Sequence, residues 1–256
     1  MKNFTKTLLP IFTLFLVLGP ISANAVIISD GYWGADPIDG SERDIVGADS
    51  LFNISQMEVT FNPDGMYVDI YTTYLNNITE YGTELGDLFI STDGWTPNGN
   101  APYTQDNVVL GGETWEYVLA MDNHRPNPQQ AAGRSGNVSL YQITGPGDIK
   151  LSWIANNYVY RQGQEVQYRG TGEALAFGTW SIGNWGNPDT DDFLRFVIDF
   201  DGFNDVSQFG FHWGMTCAND VIEGGTAPVP EPATMLLFGA GLVGLAVTGR
   251  RKARPR

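Results

Sequence analysis

Between Val26 and Pro228 the chain alternates apolar and polar side chains in short runs, and each run stops at a cluster of Gly, Pro, Asn or Asp. ISQMEVTF (54–61) and MYVDIYTTY (66–74) flank Asn62-Pro63-Asp64-Gly65. Pro63 presets φ there and Gly65 tolerates a positive one, so the pair reads as a hairpin. Further strand-like runs are DLFIST (87–92), TWEYVLAM (114–121), NVSLYQIT (137–144), IKLSWI (149–154), EVQYRG (165–170), ALAFGTWSI (174–182), FLRFVIDF (193–200) and QFGFHWGM (208–215). No stretch of this body keeps a helical period beyond about two turns. The pattern predicts an all-β domain over 26–225. A single antiparallel β-sandwich, jelly-roll-like, is expected, because so many strands ordinarily split into two packed sheets.

The pattern changes at both ends. Lys2 and Lys6 precede an almost wholly apolar run from Leu8 to Leu18, Pro20 breaks it, and Ala23-Asn24-Ala25 has the small-x-small form of a cleavage site. Residues 1–25 therefore read as a secretory signal peptide rather than an anchor, since the apolar run is short for a span. At the other end, residues 226–233 form a Pro-containing linker, 234–249 an uncharged apolar segment, and 250–256 a basic tail. The apolar segment predicts one transmembrane helix, with flanking Pro and snorkelling Arg making up its short length. Gly239, Ala240, Gly241 and Gly244 notch that helix for close approach of another one. Arg250, Arg251 and Lys252 form a stop that stays cytoplasmic by the positive-inside bias.

Charge narrows the partners. With the two terminal segments set aside, the body carries seven basic residues against 28 acidic ones. Such a surface repels nucleic acid and anionic headgroups, so a nucleic-acid role is excluded. Seven Trp, spread with Tyr and Phe throughout, argue against disorder, because that much aromatic area closes a core. Cys217 is the only cysteine, so no intramolecular disulfide forms and the thiol is expected to be buried.

Val229-Pro230-Glu231-Pro232-Ala233-Thr234, the Gly-notched apolar segment and Arg250-Arg251-Lys252 together resemble the PEP-CTERM sorting signal. The resemblance implies processing by an exosortase, a membrane-embedded cysteine transpeptidase, after export by the secretion machinery. It implies delivery to the cell surface or extracellular matrix, with transient anchoring in the inner membrane. A physical reading agrees. Pro230 and Pro232 hold an extended backbone that an active site can read, and Glu231 between them is a specificity handle. An ordinary tail anchor is the alternative. GDLFISTDGW (86–95) and WGMTCANDVIEG (213–224) are similar to segments of exosortase-dependent surface proteins with uncharacterised β ectodomains. That likeness carries no activity with it.

Catalytic constellations are scarce. His124 and His212 stand outside any metal-ligand spacing, and no nucleophile elbow, P-loop or dinucleotide fingerprint occurs. The chain reads as non-enzymatic. Glu113 and Glu116 flank Trp115, and Asp199 and Asp201 share a strand face, so a glycosidase pair is the enzymatic alternative. Calcium is the better-motivated ligand. Asp199, Asp201, Asn204 and Asp205 cluster on one turn, and hard oxygen donors suit that cation. The bland reading of the same turn is backbone capping. A second acidic stretch offers Asp30, Asp36 and Asp39. Trp33, Trp95 and Trp185 lie in turns, where indoles can stack on sugars of an exopolysaccharide or fold back over the sheet. A lectin-like module is the corresponding alternative function.

Overall fold

A computed structural model describes residues 25–226 apart from 36, 38, 63, 77, 79–81, 109–110, 154–158 and 185–191. The rest of the expected signal peptide, the sorting motif (229–232), the membrane helix (234–249) and the basic stop lie outside the described residues, as do Asp36 and Trp185. No helix among the described residues is long and apolar enough to cross a membrane.

Twelve strands follow in chain order: β1 (Ala25–Ser29), β2 (Ile54–Asn62), β3 (Gly65–Thr72), β4 (Leu88–Ser91), β5 (Tyr117–Met121), β6 (Ser135–Gln142), β7 (Ile149–Leu151), β8 (Glu165–Tyr168), β9 (Ala176–Gly183), β10 (Phe193–Ile198), β11 (Phe209–Gly214) and β12 (Val221–Thr226). Each run predicted as a strand holds one of β2 to β11. The predicted hairpin is β2–β3, paired from Ile54↔Thr72 to Asn62↔Gly65 with one bulge near Ile54.

The expectation of two packed sheets gives way here. Ten strands hydrogen-bond into one antiparallel sheet, ordered β1-β2-β3-β10-β9-β6-β5-β4-β11-β12. The sheet curls into a nearly closed barrel, because β3 pairs with β10 and β6 with β9 where a sandwich would break. Inward-pointing residues from all round the curl, such as Met57, Ile70, Leu119, Leu140, Phe196 and Trp213, make one core. Period-two alternation delivers them, since every second residue of each strand faces inward. Small residues permit the curvature. A Cβ on Gly178 of β9 would run into the Val197 carbonyl of β10.

The two ends of the sheet meet without forming a ladder. Ile28 of β1 packs over Gly224 of β12, where an added Cβ would lie 2.5 Å from Ile28 Cγ2. Nine successive antiparallel pairings make β1 and β12 run in opposite directions across this seam. The start of β1 and the end of β12 therefore share one end of the barrel. The end of β1 and the start of β12 share the other.

A two-stranded ribbon, β7–β8, covers part of the outer face. Ile149 joins Phe89, Trp115 and Val118 in a second apolar cluster there, and Tyr168 stacks on Tyr141 at 4.5 Å. His124 belongs to this frame. Its Nε2 lies 2.7 Å from Asp87 Oδ1, while Asp87 also accepts the Met121 and Tyr168 N–H groups.

Candidate functional site

The seam geometry brings acids together. Asp30 follows β1 directly and Asp220 precedes β12, so the antiparallel crossing sets them side by side. Asp44, from the loop before the single helical turn α1 (Asp49–Phe52), completes a group whose ligand atoms all lie within 4.8 Å of one another. Asp220 is fully buried; its Oδ2 accepts the Ile54 N–H at 2.6 Å and its Oδ1 the Val221 N–H at 2.9 Å. Asp30 Oδ1 and Asp44 Oδ1 are buried with no hydrogen-bond partner.

Arg161 is the nearby cation and is itself fully buried. Its donors go to main-chain carbonyls: Ala35 at 2.7 Å, Ala218 at 3.2 Å, Arg43 at 2.8 Å and Asp44 at 2.6 Å. One guanidinium thus faces three carboxylates without a hydrogen bond to any of them. Burial, then the charge of Asp44, pushes Asp30 up to about 7 against the pull of Arg161. Burial and Asp30 hold Asp220 well above the usual carboxylate range, and burial also raises Asp44. Left to themselves, the three acids hold their protons to higher pH than ordinary carboxylates do. A hard divalent cation with oxygen preference, calcium above all, is chemically suited to take their place.

A second acidic centre lies on the outer face of β11 and β12. His212 is fully buried, between Glu223 on the neighbouring strand and the ribbon above. Its Nε2 sits 2.7 Å from the Glu165 carbonyl oxygen, which only accepts, so that nitrogen carries a proton. Its Nδ1 is 2.9 Å from Glu223 Oε2, and one shared proton must sit between them. Glu223 Oε1 accepts the Trp95 indole N–H at 2.8 Å. Burial opposes charge on His212, yet its bond to Glu223 and the surrounding acids raise it overall. Burial raises Glu223 against that same bond, and raises Glu165 to about 7 against the pull of His212. Asp106, 1% exposed, has no well-formed partner on either carboxylate oxygen. Burial raises its pKa, while the Asn98 N–H, the Tyr32 hydroxyl and His212 pull the other way.

The other sequence-predicted residues fall elsewhere. Asp199, Asp201, Asn204 and Asp205 lie on an exposed turn after β10 and do not converge as Asp30, Asp44 and Asp220 do. The Asn204 N–H donates to the Asp201 carbonyl at 3.1 Å, and Phe203 anchors the turn against Tyr117 and Phe209. Asp39 accepts from Ser41 and Arg43 instead of joining Asp30. Glu116 accepts the Thr92 N–H at 2.8 Å and Glu113 the Thr96 hydroxyl at 3.0 Å, so both brace the loop after β4. Trp33 and Trp95 are half-buried. Trp95 is joined to the second centre through Glu223, and Trp33 hangs on the Pro102 carbonyl by its main-chain N–H. Cys217 is buried, its thiol pushed up to about 12 by burial.

Sequence reasoning picked out Asp30 but missed Asp44, Arg161, Asp220, Glu165 and Asp106. One signal was present. The phrases GDLFISTDGW and WGMTCANDVIEG contain β4 and the β11–β12 turn, and β4 pairs with β11 where Phe89 lies beside His212. Between them they supply Trp95, Asp220 and Glu223, and His212 immediately precedes the second phrase.

Residues 228–252 match the PEP-CTERM protein-sorting motif. A signal of this class implies an exported protein that depends on an exosortase. In particular the chain carries a PEP-CTERM sorting signal, which starts two residues beyond the last residue of β12. No curated protein and no solved structure is significantly similar to the chain.

Proposed function

We propose that the ectodomain is a non-enzymatic component of the cell surface or extracellular matrix, anchored in the inner membrane until an exosortase processes it. The PEP-CTERM match at 228–252 carries this reading. Two further observations support a non-catalytic body. His124 is committed to Asp87, and Glu113 and Glu116 are committed to holding a loop. Replacing Pro230, Glu231 and Pro232 together with Ala in the native host should leave the precursor unprocessed in the membrane fraction. Unchanged size and location of the variant would refute the reading.

The convergence of Asp30, Asp44 and Asp220 favours one second reading, a calcium-dependent lectin-like module that binds exopolysaccharide. Retention of the exported protein on host exopolysaccharide should then require calcium, and Asp30→Asn with Asp44→Asn should abolish it. Retention indifferent to calcium, or none at all, removes this reading. Release of reducing sugar in the same assay would instead establish a glycoside hydrolase.

A further inference from the structure

The second acidic centre holds more carboxylates than cations. Glu223 on β12, Glu165 on β8 and Asp106 and Glu113 in the segment after β4 all act electrostatically on one another or on His212 of β11. Tyr32, after β1, faces the same centre, and its hydroxyl points to the Asp106 main-chain oxygen at 3.4 Å. Phe89 of β4 and Trp115 contribute only ring contacts to His212. Arg161 acts on Tyr32, but its donors are spent on main-chain carbonyls. Among the described residues His212 is the one basic side chain bonded within the centre, and it shares a proton with Glu223.

This centre is tied to a half-exposed aromatic rim. Trp95 reaches Glu223 through its indole N–H, meets Tyr103 edge-on at 5.3 Å, and Tyr103 stacks on Tyr32 at 5.9 Å. Among the described residues, the segment between β4 and β5 that carries the rim forms no strand or helix and is tied to the rest of the fold by single hydrogen bonds rather than by a ladder. These include the Trp95–Glu223 bond, the Gln164 amide donating to the Asp106 carbonyl at 2.9 Å and the Val108 N–H donating to the Gly163 carbonyl at 3.1 Å. A segment so held opens locally at a cost far below global unfolding.

We propose that His212, Glu223, Glu165 and Asp106 form a proton-operated clasp on the Trp95–Tyr103 rim, closed while the centre keeps its protons and released as they leave. Removing the proton between His212 Nδ1 and Glu223 sets a lone pair against a carboxylate, and ionising Glu165 or Asp106 adds a buried charge with no counter-ion. Opening hydrates each of these groups and returns it to its ordinary range. Both kinds of group hold protons better in the closed state: the acids are raised by burial and the imidazole by its partners. The sign is therefore the same throughout, and rising pH favours release. The clasp is independent of the sorting signal and of any cation at Asp30.

Hydrogen exchange of the exported protein, purified from its host and followed from pH 5 to 8.5, tests this. After correction for the chemical rate, amides of 95–106 should open on the order of a hundredfold more often at pH 8 than at pH 5, from the pKa difference of Glu165 between its closed and hydrated states. The β2–β3 hairpin, which opens only with the whole molecule, serves as the internal control and should stay far better protected than 95–106 at every pH. Glu165→Gln should remove most of the slope while leaving protection at pH 5 intact. The clasp is overturned if 95–106 exchange independently of pH, if the hairpin opens as often as 95–106 do, or if Glu165→Gln keeps the full slope. Should that variant not fold, the comparison of 95–106 with the hairpin in the unaltered protein decides alone.

Discussion

Arg161 and Cys217 separate two ways of being buried. The guanidinium satisfies four carbonyls from three segments and supplies the charge that three carboxylates see. Arg161→Met keeps the volume but strands those carbonyls and leaves the acids uncompensated. Chemical denaturation should register a loss of about 3–5 kcal/mol, the usual cost of removing one member of a buried charged group. Arg161→Lys should fall between, since one ammonium cannot reach four carbonyls in a fork. If the Met variant is as stable as the parent, the guanidinium is not what joins these loops. Cys217 needs no partner, because a thiol with a pKa near 12 packs as a small apolar group. A maleimide should leave it unlabelled in the native protein at pH 8 and label it fully after denaturation. Labelling under native conditions would contradict the burial.

At the scale of elements, β9 and β10 show what curvature requires. Gly178 lies where the Val197 carbonyl crosses, so Gly178→Ala forces the two strands apart. A loss of about 1–3 kcal/mol is expected in thermal or chemical unfolding, the usual cost of overpacking. A neutral outcome would mean the sheet absorbs the shift by twisting. The strands that alternation exposes most plainly, β2 to β11, were all legible in the sequence. β1 and β12 were not, for different physical reasons. AVIIS starts on the expected cleavage site itself, and its unbroken apolar stretch does not alternate. VIEGGT has too few apolar positions to alternate and reads as a turn. These two strands form the seam, so missing them hid both the barrel-like closure and the meeting of Asp30 with Asp220. Asp44 and Arg161 were illegible for another reason. They reach the site through loop geometry, which leaves no period in the sequence.

For the whole molecule, the seam orders the function. The start of β1 and the end of β12 share one end of the barrel, and the sorting motif begins two residues past Thr226. Asp30 and Asp220 sit at the opposite end, turned away from that attachment. The folded protein also takes up protons, because its buried acids are raised: Asp30 and Glu165 to about 7, with Asp44, Asp106, Asp220 and Glu223 moving the same way. The unfolded chain gives up those protons near the ordinary carboxylate range, so between about pH 4.5 and 7 the folded state binds more of them. Stability must then fall as pH rises through that window, the reverse of ordinary acid denaturation. Glu165 alone, buried and shifted from 4.5 to about 7, accounts for roughly 3 kcal/mol, or on the order of 10 °C in Tm. Scanning calorimetry should find Tm higher near pH 5 than near pH 8, and a flat or rising profile would contradict the protonated acids. Calcium at Asp30, Asp44 and Asp220 competes with the same protons. Millimolar calcium should therefore raise Tm at pH 8 and leave it almost unchanged at pH 5, where protons already hold the site. An equal shift at both pH values would place the cation elsewhere, and none at pH 8 would leave the three acids to protons and Arg161 alone.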